Sequence, residues 1–233
     1  MNAKFIALLS SFFFFFTLCS ASAQYGKELC ADPNFSCIKI NKQDTWKAKW
    51  PDPRERDLIM RLNRTNLPLA RFQWIVVPNN LNALYTLDLS PFPLKIPATG
   101  DKFIFVDLNE LAFGAYSAQG RLLHWGPVSG GKNFCRDVNK SCKTPVGTYR
   151  INTMKGKDAV SSQFPLSTKG GAPMPFCMRF YKGIAFHGSK SLPGYHDSHG
   201  CLRLYTEDAQ WLNQNFATVG TKVKIIDSSE KLF

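Results

Sequence analysis

Apolar and polar positions divide the chain into a long apolar start, an irregular first third and a strand-rich remainder. Apolar residues at helical spacing predict a helix from Arg54 to Arg64, and the run Phe72–Val77 before Pro78 predicts a strand. Turn-forming residues dominate Gln24 to about Pro53, so we expect this stretch to be irregular. Three prolines between residues 79 and 100 rule out a central strand there. We interpret that stretch as an extended connector that packs on the next domain.

From Lys102 onward, short strands follow one another closely. The predicted strands are residues 103–106, 111–116, 121–125, 146–151, 178–181, 183–186 and 223–226. The second and third form a hairpin, and a tight turn joins the fifth and sixth. A single helix is predicted from Thr206 to Phe216, with two acidic residues in its first turn. This order predicts a mainly β fold, a β-sandwich or barrel with one late helix, preceded by a small N-terminal α/β segment.

The apolar start has the three parts of a secretory signal peptide. Lys4 precedes an apolar and hydroxyl run of 14 residues, Phe5–Leu18, and the small residues Ala21-Ser22-Ala23 follow as a cleavage site. A membrane-spanning helix needs about 20 residues, which the run does not reach. Two alternatives stay open: an uncleaved N-terminal anchor, and a lipoprotein attached at Cys19, which the bulky Leu18 disfavours. We expect export to the periplasm or cell envelope; the sequence leaves open whether the protein is displayed at the surface.

These patterns predict four parts. They are a signal peptide over residues 1–23, an N-terminal extension over 24–100, a strand-rich domain over 101–227 and a tail over 228–233. After cleavage, no other segment is apolar enough to span a membrane, so we expect no integral membrane segment in the mature protein.

Six cysteines follow the predicted cleavage site. Cys30 and Cys37 are seven positions apart in a turn-rich stretch, and so are Cys135 and Cys142. Export permits disulfides. Four cysteines allow three connectivities, so the short spacing only favours local pairing. Two cysteines, Cys177 and Cys201, are left over, and a spare thiol in an exported protein requires an explanation.

The chain is basic, with 29 Lys and Arg against 17 Asp and Glu. An excess of positive charge favours an anionic partner. Export argues against nucleic acid, so polymers with free carboxylates or anionic lipid head groups are better candidates. Because the charge is spread along the chain, a merely solvated basic surface is the alternative.

The residues that indicate chemistry lie near the C-terminus. An apolar strand ends at His187, and Gly200 allows an unusual backbone conformation just before Cys201. A thiol with a pKa of about 8.5 is mostly protonated at neutral pH. A neighbouring imidazole either lowers that pKa or removes the proton during attack. The backbone N–H groups of His199, Gly200 and Cys201 are candidate donors to an oxyanion.

Other chemistries fit the same stretch less well. A zinc site formed by His187, His196, His199 and Cys201 lacks the usual ligand spacings, so we predict no metal and no cofactor. A papain-like peptidase is disfavoured because its histidine follows the cysteine at long distance. His124 is interpreted as a core or surface histidine.

The motif Ser198-His-Gly-Cys-Leu-Arg203, preceded by His187-Gly188, resembles the signature of the L,D-transpeptidase (YkuD) catalytic domain. Val128–Gly131, Thr144–Tyr149 and Met174–Phe180 resemble three further motifs of that family, in the same order. The resemblance covers about residues 102–227. It implies an enzyme that transfers an acyl group from the peptide stem of peptidoglycan and releases a terminal D-alanine.

The resemblance also implies roles for individual residues. Cys201 would be the nucleophile and His187 the base, with the Gly188 carbonyl orienting the imidazole. His199 would shape the site, and Arg203 would brace the loop or meet a substrate carboxylate. The implied residues that contact the substrate are Gly188, Ser198, Arg203, Phe176 and Arg179. The acceptor stays open: a stem amine, a protein lysine, an amino acid or water.

Two features depart from the family pattern. The interval between His187 and Ser198 is short, so the loop over the site is trimmed and donor choice is open to change. Cys177 lies in the strand expected beside the site. It is either a buried small hydrophobe or a partner that forms a disulfide with Cys201 under oxidation.

Two alternatives concern the chain as a whole. The stretch from Arg54 to Val77 resembles the second half of a LysM-type peptidoglycan-binding module, although no convincing first strand or helix precedes it; an ordinary helical hairpin is the alternative. The chain as a whole is either an enzyme or a non-catalytic envelope protein that binds the wall or contacts a host on the same scaffold. A nucleophile–base pair favours the enzyme.

Overall fold

The computed structural model describes residues 24–227; the predicted signal peptide and C-terminal tail lie outside the described residues. Its strands and helices are β1 (Phe35–Lys39), α1 (Trp46–Lys49), α2 (Pro53–Leu62), β2 (Trp74–Pro78), β3 (Phe103–Asp107), β4 (Ala112–Tyr116), β5 (Leu122–Pro127), β6 (Gly147–Arg150), β7 (Thr153–Met154), β8 (Met178–Tyr181), β9 (Ile184–Gly188), β10 (Leu202–Leu204), α3 (Thr206–Trp211) and β11 (Lys222–Ile226). The late helix α3 continues as a π-helical turn over Leu212–Phe216.

Three sheets hold these strands. β1 and β2 form an antiparallel pair, a four-stranded sheet has the order β10-β9-β8-β7, and a five-stranded sheet has the order β5-β4-β3-β11-β6. Each larger sheet ends in two different edge strands, so neither closes into a barrel within residues 24–227. The prediction of a mainly β fold with one late helix is confirmed, and its sandwich form is the one adopted.

The main core lies between the two larger sheets and α3. β3 and β4 contribute Ile104 and Phe113, the four-stranded sheet contributes Phe186 and Leu202, and α3 contributes Ala209; all five are buried. Along β8 and β10, buried and half-buried residues alternate, as expected for strands with one face on a core. The half-buried residues of β8 and β10 therefore lie on the opposite face of the four-stranded sheet.

The proline-rich connector covers the other face of the five-stranded sheet. Phe92 and Ile96 are buried against Phe105 and Trp125 in a second apolar cluster. Two short 3-10 turns, Leu81–Ala83 and Thr86–Leu89, break the connector. The expectation that this stretch packs on the next domain is confirmed.

The expectation of an irregular chain up to Pro53 is wrong. β1 pairs antiparallel with β2, from Phe35 opposite Pro78 to Lys39 opposite Trp74, so the paired residues are 35 to 43 positions apart. Thr45 caps the single-turn helix α1 by accepting a hydrogen bond from the Ala48 amide at 3.2 Å. Only five and four residues long, these elements carry too little periodicity to be recognised alone. The N-terminal unit thus has the order β-α-α-β, with its own small core.

Buried arginines from the N-terminal unit join it to the rest of the chain. Arg61 on α2 binds Asp208 on α3 at 2.8 Å, with side chains only 6% and 1% exposed. Arg64 donates to the Glu110 carbonyl at 2.9 Å and lies over the Trp125 ring. A buried cation must be paired or fully hydrogen-bonded, so these contacts require the two parts to stay together.

Both short-spaced cysteine pairs lie at disulfide distance in the local arrangement. Cys30 is joined to Cys37 and Cys135 to Cys142, with Cα separations of 5.5 and 5.9 Å. The second disulfide closes a loop directly after the Gly130-Gly131 turn. Among residues 24–227, no helix has the length and apolar character needed to cross a membrane.

Candidate active site

The outer face of the four-stranded sheet collects the residues that the sequence singled out. Arg203 lies opposite His187, and Leu202 lies opposite Phe186, in the parallel pair β10–β9. Because Phe186 and Leu202 belong to the core, His187 and Arg203 face the other side. Extending this register by one residue sets Cys201 beside Ala185. Cys201 and His187 are therefore diagonal neighbours on one sheet face.

The same face also carries residues of β8. Arg179 lies opposite Ala185, so it shares a row with Cys201. Extending the register sets Cys177 beside His187, one row further along. The predicted strand facing the active site is thus the strand next to His187.

A glycine and a serine shape the turn before Cys201. Gly200 has a φ of +117°, and a Cβ there would lie 2.7 Å from the Ile184 side chain. Ser198 is 2% exposed; its hydroxyl accepts from the Gly200 amide at 2.9 Å and donates to the Cys201 carbonyl at 2.6 Å. These bonds hold the turn, and they place Ser198 beneath it.

Two other motifs converge on this turn from distant parts of the chain. The Ser198 amide donates to the Gly130 carbonyl at 2.9 Å. The Thr144 hydroxyl accepts from the Gly131 amide and donates to the Gly200 carbonyl, both at 2.9 Å. A Cβ on Gly131 would lie 1.7 Å from the Cys142 carbonyl oxygen, so only glycine fits.

His187 is a neutral imidazole with one nitrogen already in use. Its Nδ1 lies 2.9 Å from the Gly188 carbonyl oxygen, and because a carbonyl only accepts, Nδ1 carries the proton. Burial lowers the pKa of His187 to about 4, helped by Arg203 and opposed by the Gly188 bond. The ring is therefore neutral at pH 7, with Nε2 as its basic nitrogen.

Cys201 is a half-buried free thiol that is protonated at rest. Its Sγ donates to the Gly183 carbonyl at 3.7 Å. Burial raises the pKa of the Cys201 thiol, although the Ala185 amide and Arg203 act in the opposite direction. An imidazole can activate a thiol by lowering its pKa or by removing the proton during attack. The raised pKa of Cys201 favours the second way over a preformed thiolate.

Cys177 is a second free, half-buried thiol. Burial raises its pKa, against Arg179 and Lys155. Strand β9 lies between β8 and β10, so two strand spacings of about 4.8 Å separate the backbones that carry Cys177 and Cys201. Disulfides usually need Cα atoms within about 7 Å. A Cys177–Cys201 bond would thus require backbone movement; the oxidation hypothesis stays a prediction.

His199 faces away from the sheet, toward the disulfide loop. Its Nε2 donates to Asp137 at 2.7 Å, and its ring packs against Phe164 in a tilted arrangement with the ring centroids 4.3 Å apart. That hydrogen bond is the main cause that lowers the pKa of Asp137. The Cys135 and Cys142 sulfurs lie within 4.8 Å of a His199 nitrogen, but they are bonded to each other and are not thiolate ligands.

The residues predicted to contact substrate have different surroundings. Arg203 approaches Asp197 at 3.5 Å, and both side chains are partly exposed. Arg179 is half-buried on the Cys201 face. Phe176 is 7% exposed and belongs to the main core, with a left-handed backbone at φ 58°. Their roles toward a substrate stay predictions.

Sequence reasoning missed two groups of residues. His124 donates to Asp208 at 2.8 Å and so joins the buried Arg61 pair. Burial alone would raise the pKa of Asp208, but Arg61 and His124 hold it below its usual value. Thr65 and Asn66 contact the loop after His187. Both groups join residues more than 80 positions apart, which local patterns do not reveal.

The positive charge is less evenly spread than the sequence analysis assumed. Residues 131–190 contain eleven Lys and Arg but only two Asp and Glu. This segment borders the nucleophile turn, because His199 contacts Asp137 and Phe164 and the Cys201 thiol contacts Gly183. Most of the basic excess therefore belongs to the segment around the site.

Comparison with known proteins defines the class. Residues 101–225 match the L,D-transpeptidase catalytic domain family (YkuD), which is more than half of the chain, and the chain belongs to this family. It is 28% identical over 153 residues to the probable L,D-transpeptidase ErfK/SrfK of Escherichia coli (strain K12), covering 60% of this chain and 49% of that protein. The chain thus spans about half the length of this curated relative.

A solved structure is similar over a comparable range. The L,D-transpeptidase from Xylanimonas cellulosilytica DSM 15894 superposes with a TM-score of 0.52 at 25% identity, covering 66% of this chain and 73% of that chain. The family predicted from the Ser-His-Gly-Cys motif is therefore confirmed.

Proposed function

We propose that this protein is a peptidoglycan-modifying L,D-transpeptidase that forms a thioester on Cys201. The observation that carries the proposal is the diagonal arrangement of Cys201 and His187 on one sheet face. The neutral ring, with Nδ1 bonded to Gly188, supports it further, because a general base must be unprotonated before it acts.

The proposed reaction begins when Nε2 of His187 removes the thiol proton as Cys201 attacks. The sulfur bonds to the carbonyl carbon of the third stem residue, whose amide joins it to a terminal D-alanine. The tetrahedral intermediate collapses by breaking that C–N bond, and the His187 imidazolium returns the proton to the leaving amine. An amine or water then attacks the thioester and regenerates the thiol.

One contact reduces the set of candidate donors to the oxyanion. The Gly200 amide already donates to the Ser198 hydroxyl, so we assign the oxyanion to the amides of His199 and Cys201. In this scheme Ser198 and Gly200 hold the turn. Arg203 and Arg179 share the face of Cys201 and are the proposed partners of substrate carboxylates.

The charge around the site supports an anionic donor. Peptidoglycan stems carry free carboxylates, and the basic excess of residues 131–190 borders the nucleophile turn. Electrostatic attraction raises the local concentration of such a polymer.

The decisive experiment incubates purified protein with a disaccharide-tetrapeptide. We expect D-alanine release together with an acyl adduct on Cys201 by intact-mass spectrometry, and neither with Cys201→Ala. Equal D-alanine release by Cys201→Ala would sink the catalytic assignment. An intact substrate that still binds the protein would favour the alternative, a non-catalytic wall-binding or host-contact protein. Muropeptide analysis with stem, amino acid or water as acceptor then identifies the second step.

We also propose the wider organisation. The signal peptide directs export to the periplasm or envelope, an N-terminal extension covers residues 24–100, and the catalytic domain follows over 101–227. The β-α-α-β order of the N-terminal unit supports its likeness to a LysM module more fully than the sequence did. Co-sedimentation with purified peptidoglycan tests the N-terminal part. A full-length variant with substitutions on the surface of residues 24–100 should be retained less than the parent chain.

A further inference from the structure

We propose that Thr65 and Asn66 are positioning residues of the active site, so that the N-terminal unit forms part of the catalytic centre. The inference rests on the proposed function and extends it. It concerns the loop of residues 189–197, which leads from His187 and Gly188 to the nucleophile turn at Ser198.

Thr65 and Asn66 bind the backbone of this loop at Leu192. The Leu192 carbonyl accepts from the Thr65 hydroxyl at 2.8 Å and from the Asn66 amide at 3.2 Å. The Leu192 amide donates to the Asn66 side-chain oxygen at 2.8 Å. Leu192 and Thr65 are both 0% exposed. Both polar groups of a buried loop residue thus depend on two N-terminal residues.

Asn66 also reaches the start of the loop. Its side-chain amide donates to the Ser189 carbonyl at 3.3 Å. The Ser189 amide in turn donates to the Leu204 carbonyl of β10 at 2.8 Å. Ser189 directly follows Gly188, whose carbonyl holds the His187 ring. One asparagine side chain therefore fixes the turn that begins next to the residue orienting the base.

The far end of the loop is held by the catalytic domain itself. The Ser129 hydroxyl donates to the Tyr195 carbonyl at 2.7 Å, and His196 accepts from the Gly130 amide at 3.0 Å. The loop thus has two attachments from different parts of the chain. Only the attachment on the His187 side comes from the N-terminal unit.

The segment that carries Thr65 and Asn66 is fixed from behind. The Tyr205 hydroxyl donates to the Thr65 carbonyl at 2.6 Å. The Asn63 side chain donates to the Ile59 and Val76 carbonyls and accepts from the Val76 amide. A rigid segment can transmit position to the loop, whereas a mobile one could not.

Loss of these contacts would leave loop groups without partners. Removing the Asn66 side chain frees the Leu192 amide and the Ser189 carbonyl, and the loop would sample conformations that shift Gly188 and the His187 ring. Misplacement of a general base lowers the chemical step more than substrate binding. We therefore expect kcat to fall about tenfold with little change in KM.

The test uses four variants of the full mature chain. Asn66→Ala and Thr65→Val remove the contacts, and Thr65→Ser keeps the hydroxyl. Asn79→Ala is the matched control, because the Asn79 side chain donates to the Pro33 carbonyl and accepts from the Ser36 hydroxyl, both within the N-terminal unit. The measurements are kcat and KM for D-alanine release, the pH profile of Cys201 alkylation, and the midpoint of thermal unfolding.

We expect Asn66→Ala and Thr65→Val to lower kcat and shift the alkylation profile, with Thr65→Ser near the parent protein. Asn79→Ala should lower only the unfolding midpoint. The proposal is overturned if the first two variants keep the parent kcat and profile, or if Asn79→Ala changes both to the same extent. Absence of D-alanine release from the parent protein would refute the proposed function instead, and the alkylation profiles would still decide the positioning role.

Discussion

Single residues set the protonation states on which the chemistry depends. Burial keeps His187 neutral and Cys201 protonated, so the free protein holds an uncharged pair rather than a thiolate and an imidazolium. An uncharged pair avoids the cost of a buried ion pair in the resting state. In the proposed mechanism, His187 removes the proton of Cys201 once the thiol turns from Gly183 toward it.

The lowered pKa of His187 makes stability depend on pH. Unfolded His187 binds a proton near its ordinary pKa of 6.5, whereas the folded residue binds one only near 4. Folding therefore loses stability as pH falls from 6.5 to 4, on the order of 3 kcal/mol for this residue. We expect His187→Gln to remove this part of the loss.

Urea unfolding of both proteins at pH 7 and pH 4.5 measures the effect. The difference in the free energy of unfolding between pH 7 and pH 4.5 should be smaller for His187→Gln than for the parent chain. Equal differences would mean that His187 titrates normally in the folded protein.

At the scale of elements, the nucleophile turn depends on a side chain far from it in sequence. The Thr144 hydroxyl bridges the Gly131 amide and the Gly200 carbonyl, and Thr144 is 5% exposed. It thus joins the strand-end turn after β5 to the turn before β10. The Val128–Gly131 motif and the Ser198–Arg203 motif are therefore joined through one hydroxyl group.

Thr144→Val keeps the shape of the side chain but leaves two backbone groups without a partner. We expect a loss of about 1–3 kcal/mol in the free energy of unfolding. D-alanine release should fall as well, because the Gly200 turn is no longer held. Thr144→Ser, which keeps the hydroxyl, should recover most of both. If Thr144→Val and Thr144→Ser have the same free energy of unfolding and the same rate of D-alanine release, the hydroxyl bridge contributes to neither.

At the scale of the whole molecule, the buried Arg61–Asp208 pair joins the N-terminal unit to the catalytic domain. Asp208→Asn would leave the Arg61 cation buried without its main partner. Breaking such a pair costs about 3–5 kcal/mol. We therefore expect a large drop in urea midpoint and faster proteolysis between the two parts.

Asp57→Asn is the matched control. Asp57 also binds Arg61, at 2.7 Å, but its side chain is 37% exposed. Exposed pairs contribute about 0–1 kcal/mol, so this variant should stay close to the parent. Similar losses in the two variants would contradict a dominant role of the buried pair.

The uneven charge makes a second prediction at this scale. Binding to isolated peptidoglycan should weaken as salt rises, because exposed charges are screened. Lys140→Gln with Lys143→Gln, near the disulfide loop, should weaken co-sedimentation more than Lys42→Gln with Lys47→Gln in the N-terminal unit; all four lysines are exposed. Equal effects of the two pairs would show that only net charge matters.

Much of the fold was predictable because its signals are local. Most strands of the catalytic domain and the late helix follow from apolar periodicity over a few residues. β1, α1, β7 and β10 were missed, since elements of two to five residues contain too few positions to show a period. In the site, Cys201, His187 and Gly200 were found because they occupy one short, ordered motif.

The sequence by itself determined the family, most strands of the catalytic domain and the identity of the candidate nucleophile and base. Tertiary structure alone decided how they are held: Asn66 reaches Leu192 across 126 positions, and Arg61 reaches Asp208 across 147. The physical reason is that apolar periodicity depends on residues close together in the sequence and on which side of their element is buried. Contacts that close long loops depend on the packing of the whole chain.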